Sequence, residues 1–515
     1  MPGWTLFRDI RTDQYICCKV VEASRSDQLS NVINWDDMNT GRNNHMARAK
    51  IICTLGPATS SPEMVEGLIK NGMNVARINY SHGEHDDFRT LIETVREVSS
   101  RLGQPVAILG DLCGPKIRIG ELVEPEIMLT AGDDLVITTK DVVGDSARVS
   151  TTYDNLPSDI ERGNRILIDD GRLELKVVDV RSDEVNAKVI IGGILKPHKG
   201  MNLPGVNVSA PAVNNKDMSD IEFSCREGVD YIALSFVRDP RDIVKTKRLI
   251  TNFGSDIPVI AKIEKDEAVR AFDRVLQEAD GIMIARGDLG VEMASEEVPI
   301  IQKNIIKACN EAGKPVITAT QMLESMTSSP RPTRAETSDV ANAIIDGSDA
   351  VMLSGETAVG EYPLRAAATM SAIIRTVEGK LGKGRSMFER RPRETTIEEA
   401  VTAAACRAAE LLKAKLIVAY TQSGSTMTRI SKQRPMTRIM AITPYEHIRR
   451  RLELYWGVRS ALVSEVIDTD SMVDTASDIA KSMGFAHAGD IIVVTSGTPI
   501  GVSGSTNLMN VHRVK

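Results

Sequence analysis

Lys262 and Glu264 stand two residues apart at the end of the apolar run 258–261, and Asp288 follows the next such run, 281–285. In an extended chain, positions i and i+2 point to one side, so the lysine and the glutamate share a face. Two carboxylates at the ends of neighbouring strands suit Mg²⁺ or Mn²⁺, with waters and substrate oxygens completing the octahedron. The plain alternative for Glu264 and Asp288 is an ion pair with Lys265 or Arg286. A lysine in such a setting is costly to bury unless it meets an anion. Lys262 therefore reads as a stabiliser of developing negative charge, worth about 10²–10³ in rate per donor. A Schiff base and a structural ion pair with the two carboxylates are its other readings.

Further reactive residues gather at the ends of similar runs. Arg77, Asn79 and Ser81 alternate along 74–80 and beyond, with Asp111 after the neighbouring run. The planar fork of arginine suits phosphate, and the alternation counts against a mere surface salt bridge. Thr320-Gln321 and Ser354-Gly355-Glu356-Thr357 end two more runs. In Arg286-Gly287-Asp288-Leu289-Gly290 the glycines let backbone N–H groups approach an anion closely. Farther on, Thr421, Gln422, Ser423, Gly424, Ser425 and Thr426 lie between a strand pattern and a helix start. That place suits phosphate; ordinary capping by Ser425 or Thr426 fits equally. Cys113, His82 and Asp111 are the types of a nucleophile, base and orienter, but nothing sets the thiol against the imidazole, and an idle thiol fits better.

The elements that must position these groups form a series. Apolar runs at 50–53, 74–80, 106–110, 231–234, 258–261, 281–285, 315–319 and 350–353 are each followed by polar residues. Runs bounded by turn residues read as strands buried on both faces. Eight in order, with chemistry at the same end, predict a (β/α)8 TIM barrel whose active site lies at the strand carboxyl ends. The barrel is expected over 47–115 and 212–378. The stretch 116–211 changes to short strands separated by turn signals such as Asp169-Asp170-Gly171. It predicts an inserted antiparallel β-barrel domain at the catalytic face, placed to act as a lid. The charged, glycine-bearing stretch 379–393 reads as a linker, and 394–515 as a C-terminal α/β domain with a regulatory role. Residues 1–46 fit no element; they are expected to be a flexible appendage, or an upstream start the working protein does not need.

Bulk properties narrow the classes. The 515 residues carry a net charge of −7, with a pI near 5.7. A general nucleic-acid binder needs a basic surface. No apolar run is long enough to span a bilayer, and the N-terminus lacks a signal-peptide pattern. The seven cysteines are scattered without a CxxC pair, which favours reduced thiols and a cytoplasmic location.

These motifs resemble those of the pyruvate kinase family. The stretches that carry the likeness include 53–58, Ala76 to Gly83, Lys262-Ile263-Glu264, Ala285 to Gly290, Ala319 to Met326, Pro332 to Glu336 and Ser354 to Thr357. The resemblance implies phosphoryl transfer from phosphoenolpyruvate to ADP, giving pyruvate and ATP in glycolysis, in a homotetramer. By it, Glu264 and Asp288 hold the metal, Lys262 neutralises the transferring group, and Arg77 bridges donor and acceptor phosphates. Ala285, Arg286 and Gly287 offer backbone contacts to the substrate carboxylate. Thr320 marks the site of enolate protonation, with Ser354 supporting the relay. His82, Arg118 and Lys199 are the implied nucleotide contacts, and Thr421, Ser423, Gly424, Ser425 and Thr426 the implied site of a phosphorylated effector. A metal-dependent enolpyruvate carbon–carbon lyase on the same barrel is the alternative.

Many family members hold K⁺ at positions matching Asn79, Ser81, Asp111 and Leu112, and carry a glutamate where this chain has Lys116. The lysine brings its own positive charge, so K⁺ is expected not to be required.

Overall fold

The computed structural model describes residues 4–8, 15–19, 47–381, 396–464, 468–498 and 504–515. Eight parallel strands close into a barrel: β1 Lys50–Thr54, β2 Met73–Asn79, β3 Ala107–Asp111, β4 Tyr231–Leu234, β5 Val259–Ile263, β6 Gly281–Ala285, β7 Val316–Ala319 and β8 Ala350–Leu353, with β8 pairing back onto β1. Their continuous apolar character has a simple cause. Alternate side chains face two different cores: Ile52, Val75, Leu109, Ile260, Met283 and Ile317 fill the interior, while Ile51, Ile78, Ile232 and Ile284 pack against the surrounding helices. Helix Pro62–Lys70 shows how those helices start. Ser61 Oγ accepts from the Met64 N–H at 3.3 Å, Pro62 opens the first turn, and Val65, Leu68 and Ile69 are buried.

The amino ends of the strands are closed by a ring. Asn74, Asp230, Asp280 and Asp349 stand on or just before alternate strands. Their side-chain oxygens accept from the backbone N–H of Ile51 (3.1 Å), Ile108 (2.8 Å), Val259 (2.8 Å) and Val316 (3.0 Å) on the neighbouring strand. A strand-end N–H has no ladder partner, and a buried orphan donor is costly. Each Asx side chain supplies the missing acceptor.

Between β3 and β4 lies a six-stranded sheet in the order Met201–Asn202, Arg165–Ile168, Leu173–Val180, Glu184–Ile191, Asp134–Thr138, Arg148–Ser150, plus a two-stranded pair, Ile127–Leu129 with Gly193–Leu195. It has its own core, including Ile137, Ile166, Leu175 and Val189. All its pairs are antiparallel except the last, Asp134–Thr138 with Arg148–Ser150, which is parallel. The C-terminal α/β domain is a five-stranded sheet in the order Val458–Leu462, Arg438–Thr443, Leu416–Tyr420, Ile491–Gly497, Thr506–Arg513, with only the last strand antiparallel.

That domain plugs the amino end of the barrel. The 3-10 turn Leu452–Leu454 puts Leu454 into the interior cluster. Around it, Lys50 Nζ meets Glu453 at 3.0 Å, Arg450 Nε meets Asp230 at 2.9 Å, Arg434 meets Asp349 at 2.8 Å, and Tyr231 Oη donates to the Arg451 carbonyl at 2.6 Å.

One expectation needs correcting. Strands Trp4–Arg8 and Tyr15–Lys19 pair antiparallel within 1–46, where no element was expected; the rest of that stretch, and most of the expected linker, lie outside the described residues. Among the described residues no helix is long and apolar enough to cross a membrane.

Candidate active site

Strands β3, β4 and β5 deliver one buried charge cluster to the carboxyl end of the barrel. Lys262 Nζ lies 2.8 Å from Glu264 Oε1 and 3.2 Å from Asp111 Oδ1, and donates to Ser235 Oγ at 2.7 Å. The shared face of Lys262 and Glu264 follows from the two-residue period of a strand. The ion pair with carboxylates, one of the readings open to Lys262 from sequence, is present. Burial alone would pull the lysine's pKa down, but Asp111 and Glu264 outweigh it and hold the ammonium above its usual range.

The two carboxylates differ. Burial pushes Asp111 up, but Lys262 and Arg77 together leave it below the usual carboxylate range. Glu264 stays raised: burial comes first, Lys262 opposes it, and the charge of Asp288 adds to the rise. Its other oxygen accepts from the Phe236 N–H at 2.7 Å, and Phe236 sits at a φ of 52°, a costly position for a bulky residue. Glu264 is thus short of positive charge, with a second carboxylate close by. Neither Lys265 nor Arg286 supplies it. Lys265 pairs with Glu292 at 2.5 Å, and Arg286 with Asp339 at 2.7 Å. Asp288 has no hydrogen-bond or ion-pair partner among the described residues. It lines the cleft between barrel and insert with Lys116, Asn202 and Lys265. Among the described residues no group of three or more His, Cys, Asp or Glu is placed to hold a metal ion by itself. Two hard oxygen donors are what a site for Mg²⁺ needs when a substrate brings the remaining ligands.

Arg77 is held in place by two neighbours. Its Nε donates to Asp111 Oδ2 at 2.7 Å and its Nη1 to Thr54 Oγ1 at 2.9 Å. Asn79 ends β2 and its side-chain oxygen accepts from the Ser81 N–H at 3.2 Å, so Ser81 lies on the turn beyond the strand. Leu112 is buried and donates its N–H to the Ala233 carbonyl at 3.0 Å. With Asp111 taken by Arg77 and Lys262, it cannot orient an imidazole, and the Cys113–His82–Asp111 triad does not assemble.

The residues 286–290 form the first turns of helix Arg286–Glu292, not a loop. Space alone does not require glycine there: a Cβ on Gly287 would stand 3.4 Å from Thr320 Oγ1, an ordinary van der Waals contact. That hydroxyl accepts from the Gly287 N–H at 2.8 Å, and Ala285 pairs with Ala319 across the sheet. The Arg286 guanidinium turns away from the cleft to donate to the Thr320 carbonyl at 2.7 Å. Thr320 and Gln321 both have positive φ, 64° and 55°, a strain that surrounding structure must hold. Ser354 Oγ is buried with no hydrogen-bond partner among the described residues, while its N–H is taken by Glu356 at 2.7 Å.

At the mouth, partial burial lowers the pKa of His82, and Arg118, Lys116 and Arg77 lower it further. Four basic residues therefore share one electropositive neighbourhood. Arg118 Nη1 donates to the His198 carbonyl at 2.9 Å, Lys199 pairs with Asp169 at 2.7 Å, and Lys116 is exposed.

In the C-terminal domain, Gly424 caps helix Ser425–Lys432 in a left-handed conformation, φ 87°, without a side-chain cap. Neither Ser425 nor Thr426 plays that role: Ser423 Oγ donates to Ser425 Oγ at 3.3 Å, and Thr426 bonds Thr506 at 2.7 Å. Thr421 Oγ1 accepts from the Gly424 N–H at 2.8 Å.

Sequence reasoning missed Ser235 and Thr54, which orient Lys262 and Arg77. Their only sequence signal was a hydroxyl residue at a strand end.

The comparisons agree with one another. The family models described as "Pyruvate kinase, barrel domain" and "Pyruvate kinase, alpha/beta domain" match residues 46–367 and 399–512. A pyruvate kinase of Geobacillus stearothermophilus is 47% identical over 470 residues, covering 90% of this chain and 80% of the relative. Pyruvate kinase 2 of Synechocystis sp. is 45% identical over 473 residues, covering 91% and 79%. The crystal structure of a pyruvate kinase from Cryptosporidium parvum superposes with a TM-score of 0.85 at 38% identity, covering 91% of this chain and 96% of that one. The lyase alternative finds no support in them.

Proposed function

The chain belongs to the pyruvate kinase family, and from that premise we propose that it moves the phosphoryl group of phosphoenolpyruvate to ADP, giving pyruvate and ATP, by the residues described above. The observation that carries the assignment of roles is the uneven charge cluster: one lysine shared by Asp111 and Glu264, with Asp288 forming no hydrogen bond or ion pair among the described residues.

Glu264 and Asp288 would hold Mg²⁺ or Mn²⁺, and the raised pKa of Glu264 supports that fit. The bound cation would supply positive charge to the phosphoryl and enolate oxygens. Lys262, kept charged by its two carboxylates, faces the same oxygens and stabilises charge as it moves from one to another. Arg77, preset by Asp111 and Thr54, spans the donor and acceptor phosphates. The backbone N–H groups at Ala285, Arg286 and Gly287 receive the substrate carboxylate. Thr320 stands where the enolate gains its proton, and the unpartnered hydroxyl of Ser354 extends that relay.

His82, Arg118 and Lys199 receive the nucleotide phosphates, with Lys199 exchanging Asp169 for the anion. Lys116 adds charge near Asn79, Ser81, Asp111 and Leu112 and replaces K⁺. The helix start at 421–426, which lacks a side-chain cap, takes a phosphorylated metabolite such as fructose 1,6-bisphosphate or AMP, which raises apparent substrate affinity through a differential affinity for two states. The working form is a cytoplasmic homotetramer serving glycolysis.

A coupled assay for ATP formation from ADP and phosphoenolpyruvate, with and without Mg²⁺, tests the reading. Absence of metal-dependent ATP formation refutes it.

A further inference from the structure

A basin of about 660 Å³ opens where the amino end of the barrel meets the C-terminal domain. Its size is that of a small-molecule pocket. Among the described residues, Arg48, Lys413, Lys415, Arg438 and Arg459 line it against two carboxylates, Glu410 and Asp490. Both carboxylates are engaged, Glu410 by Arg407 at 2.7 Å and Asp490 by the His487 N–H at 2.9 Å. Among the described residues, Lys413, Lys415 and Arg438 form no ion pair; Arg438 lies over the Phe485 ring, 5.3 Å from its centroid.

Arg48 is pinned beside them. It lies over Trp456 at 5.1 Å and donates to the carbonyls of Pro435 and Met436 at 2.7 and 2.6 Å. Burial lowers its pKa; Glu378 opposes this and the like charge of Arg438 adds to it. Cations that outnumber the carboxylates in a concave site focus a positive potential. A ligand with several negative charges is the complement of that surplus.

The basin is not the 421–426 loop. Lys415 directly precedes strand Leu416–Tyr420 and Thr421 directly follows it, so the two lie at opposite ends of the sheet. The basin is also wired to the barrel. The Arg48 carbonyl accepts from the Gly457 N–H at 2.7 Å. β1 starts two residues later and ends at Thr54, whose hydroxyl accepts from Arg77 at 2.9 Å.

We propose that this basin is a second anion site, for a small organic phosphate carrying at least two negative charges, and that its occupancy is felt at Arg77 along β1. The regulatory half rests on the role given to Arg77 above; the binding half does not.

Trp456 in the wall gives a local readout. Fructose 1,6-bisphosphate and AMP are titrated at constant ionic strength into the full chain, and the fluorescence change absent from Trp456→Phe is followed. At least one probe should give a saturable change. Its affinity should fall about tenfold or more in Lys415→Glu/Arg438→Glu, fall less in the milder Lys415→Gln/Arg438→Gln, and hold in Ser425→Asp, which blocks the loop. No change with either probe, or a change untouched by both double variants, overturns the site. So does complete loss in Ser425→Asp. In the Ser425→Asp background, the bound probe should also shift the half-saturating phosphoenolpyruvate concentration, and Lys415→Glu/Arg438→Glu should abolish that shift. Binding without any shift overturns the link through β1, and an enzyme without kinase activity would instead refute the functional reading while leaving the binding result standing.

Discussion

At the amino ends of the barrel strands, Asp230, Asp349 and Glu453 each meet a basic side chain within 3.0 Å. At the carboxyl ends, Glu264 shares Lys262 with Asp111, and among the described residues Asp288 has no hydrogen-bond or ion-pair partner and the buried Ser354 hydroxyl no hydrogen-bond partner. Both ends place charged groups at strand termini and bury most of them. The acids at one end are matched by basic side chains within the chain, whereas those at the other are left incompletely matched among the described residues. A finished network stabilises, whereas groups preset but unsatisfied can favour a charge distribution that develops during reaction. The same barrel thus separates stability from chemistry along its axis.

The largest effect expected from this contrast is at Lys262. Lys262→Met should cut kcat by about 10³ or more while KM for phosphoenolpyruvate changes little, because the lost interaction is one made mainly in the transition state. Steady-state kinetics decide it. A variant keeping more than roughly a tenth of wild-type turnover would show that Lys262 is only a structural counterion.

The matching change at the other end is Lys50→Met. Both Lys50 and Glu453 side chains are almost wholly buried, 3% and 2% exposed, so removing one leaves an uncompensated charge, at a cost of about 3–5 kcal/mol. The double change Lys50→Met/Glu453→Leu should recover most of that loss. Shifts in the thermal transition are the readout, since a multidomain chain has no single unfolding free energy. Turnover per folded enzyme should hardly change. If turnover falls as far as in Lys262→Met, the two ends are not separate.

Lys116 tests the mouth of the incomplete end. Two cations a few ångströms apart repel by roughly 4 kcal/mol at an effective dielectric near 20. Lys116 is exposed, so solvent screening makes the real figure smaller. Full activity without K⁺ is expected, with a several-fold gain on adding K⁺ only in Lys116→Glu. Strong activation of the unaltered enzyme by K⁺, with Na⁺ as control, would overturn this.

How far the sequence foretold each end also differs. The strand order, the shared face of Lys262 and Glu264, and the position of Asp288 were legible because they follow from the two-residue period and from where apolar runs stop. The ring of Asn74, Asp230, Asp280 and Asp349 was not. Each looks like a turn residue before a strand, and its partner lies on another strand; Asp230 reaches Ile108, 122 positions away. The glycines at 287 and 290 suggest a backbone free to approach an anion, whereas the structure runs both through helix Arg286–Glu292. Short strands such as Arg148–Ser150 carry too few residues to show a period, and so the parallel pair in the insert was missed.

The smallest expected effect concerns His82. Partial burial and then Arg118, Lys116 and Arg77 hold its pKa below the ordinary value of 6.5. In the free chain, protonation is therefore disfavoured, and stability falls as pH drops from 6.5 through the depressed value. A bound phosphate reverses the sign, because an anion near the ring favours the charged form. Binding ADP should raise the His82 pKa, and by linkage ADP affinity should strengthen as pH falls across the same window, by no more than about tenfold. The phosphate itself gains a proton near pH 6, so the informative quantity is the difference between the unaltered enzyme and His82→Gln. NMR titration of the His82 ring, assigned from that variant, reads the pKa directly. A pKa that does not move on ADP binding would separate His82 from the nucleotide and leave Arg118 and Lys199 as the contacts at this edge of the cleft.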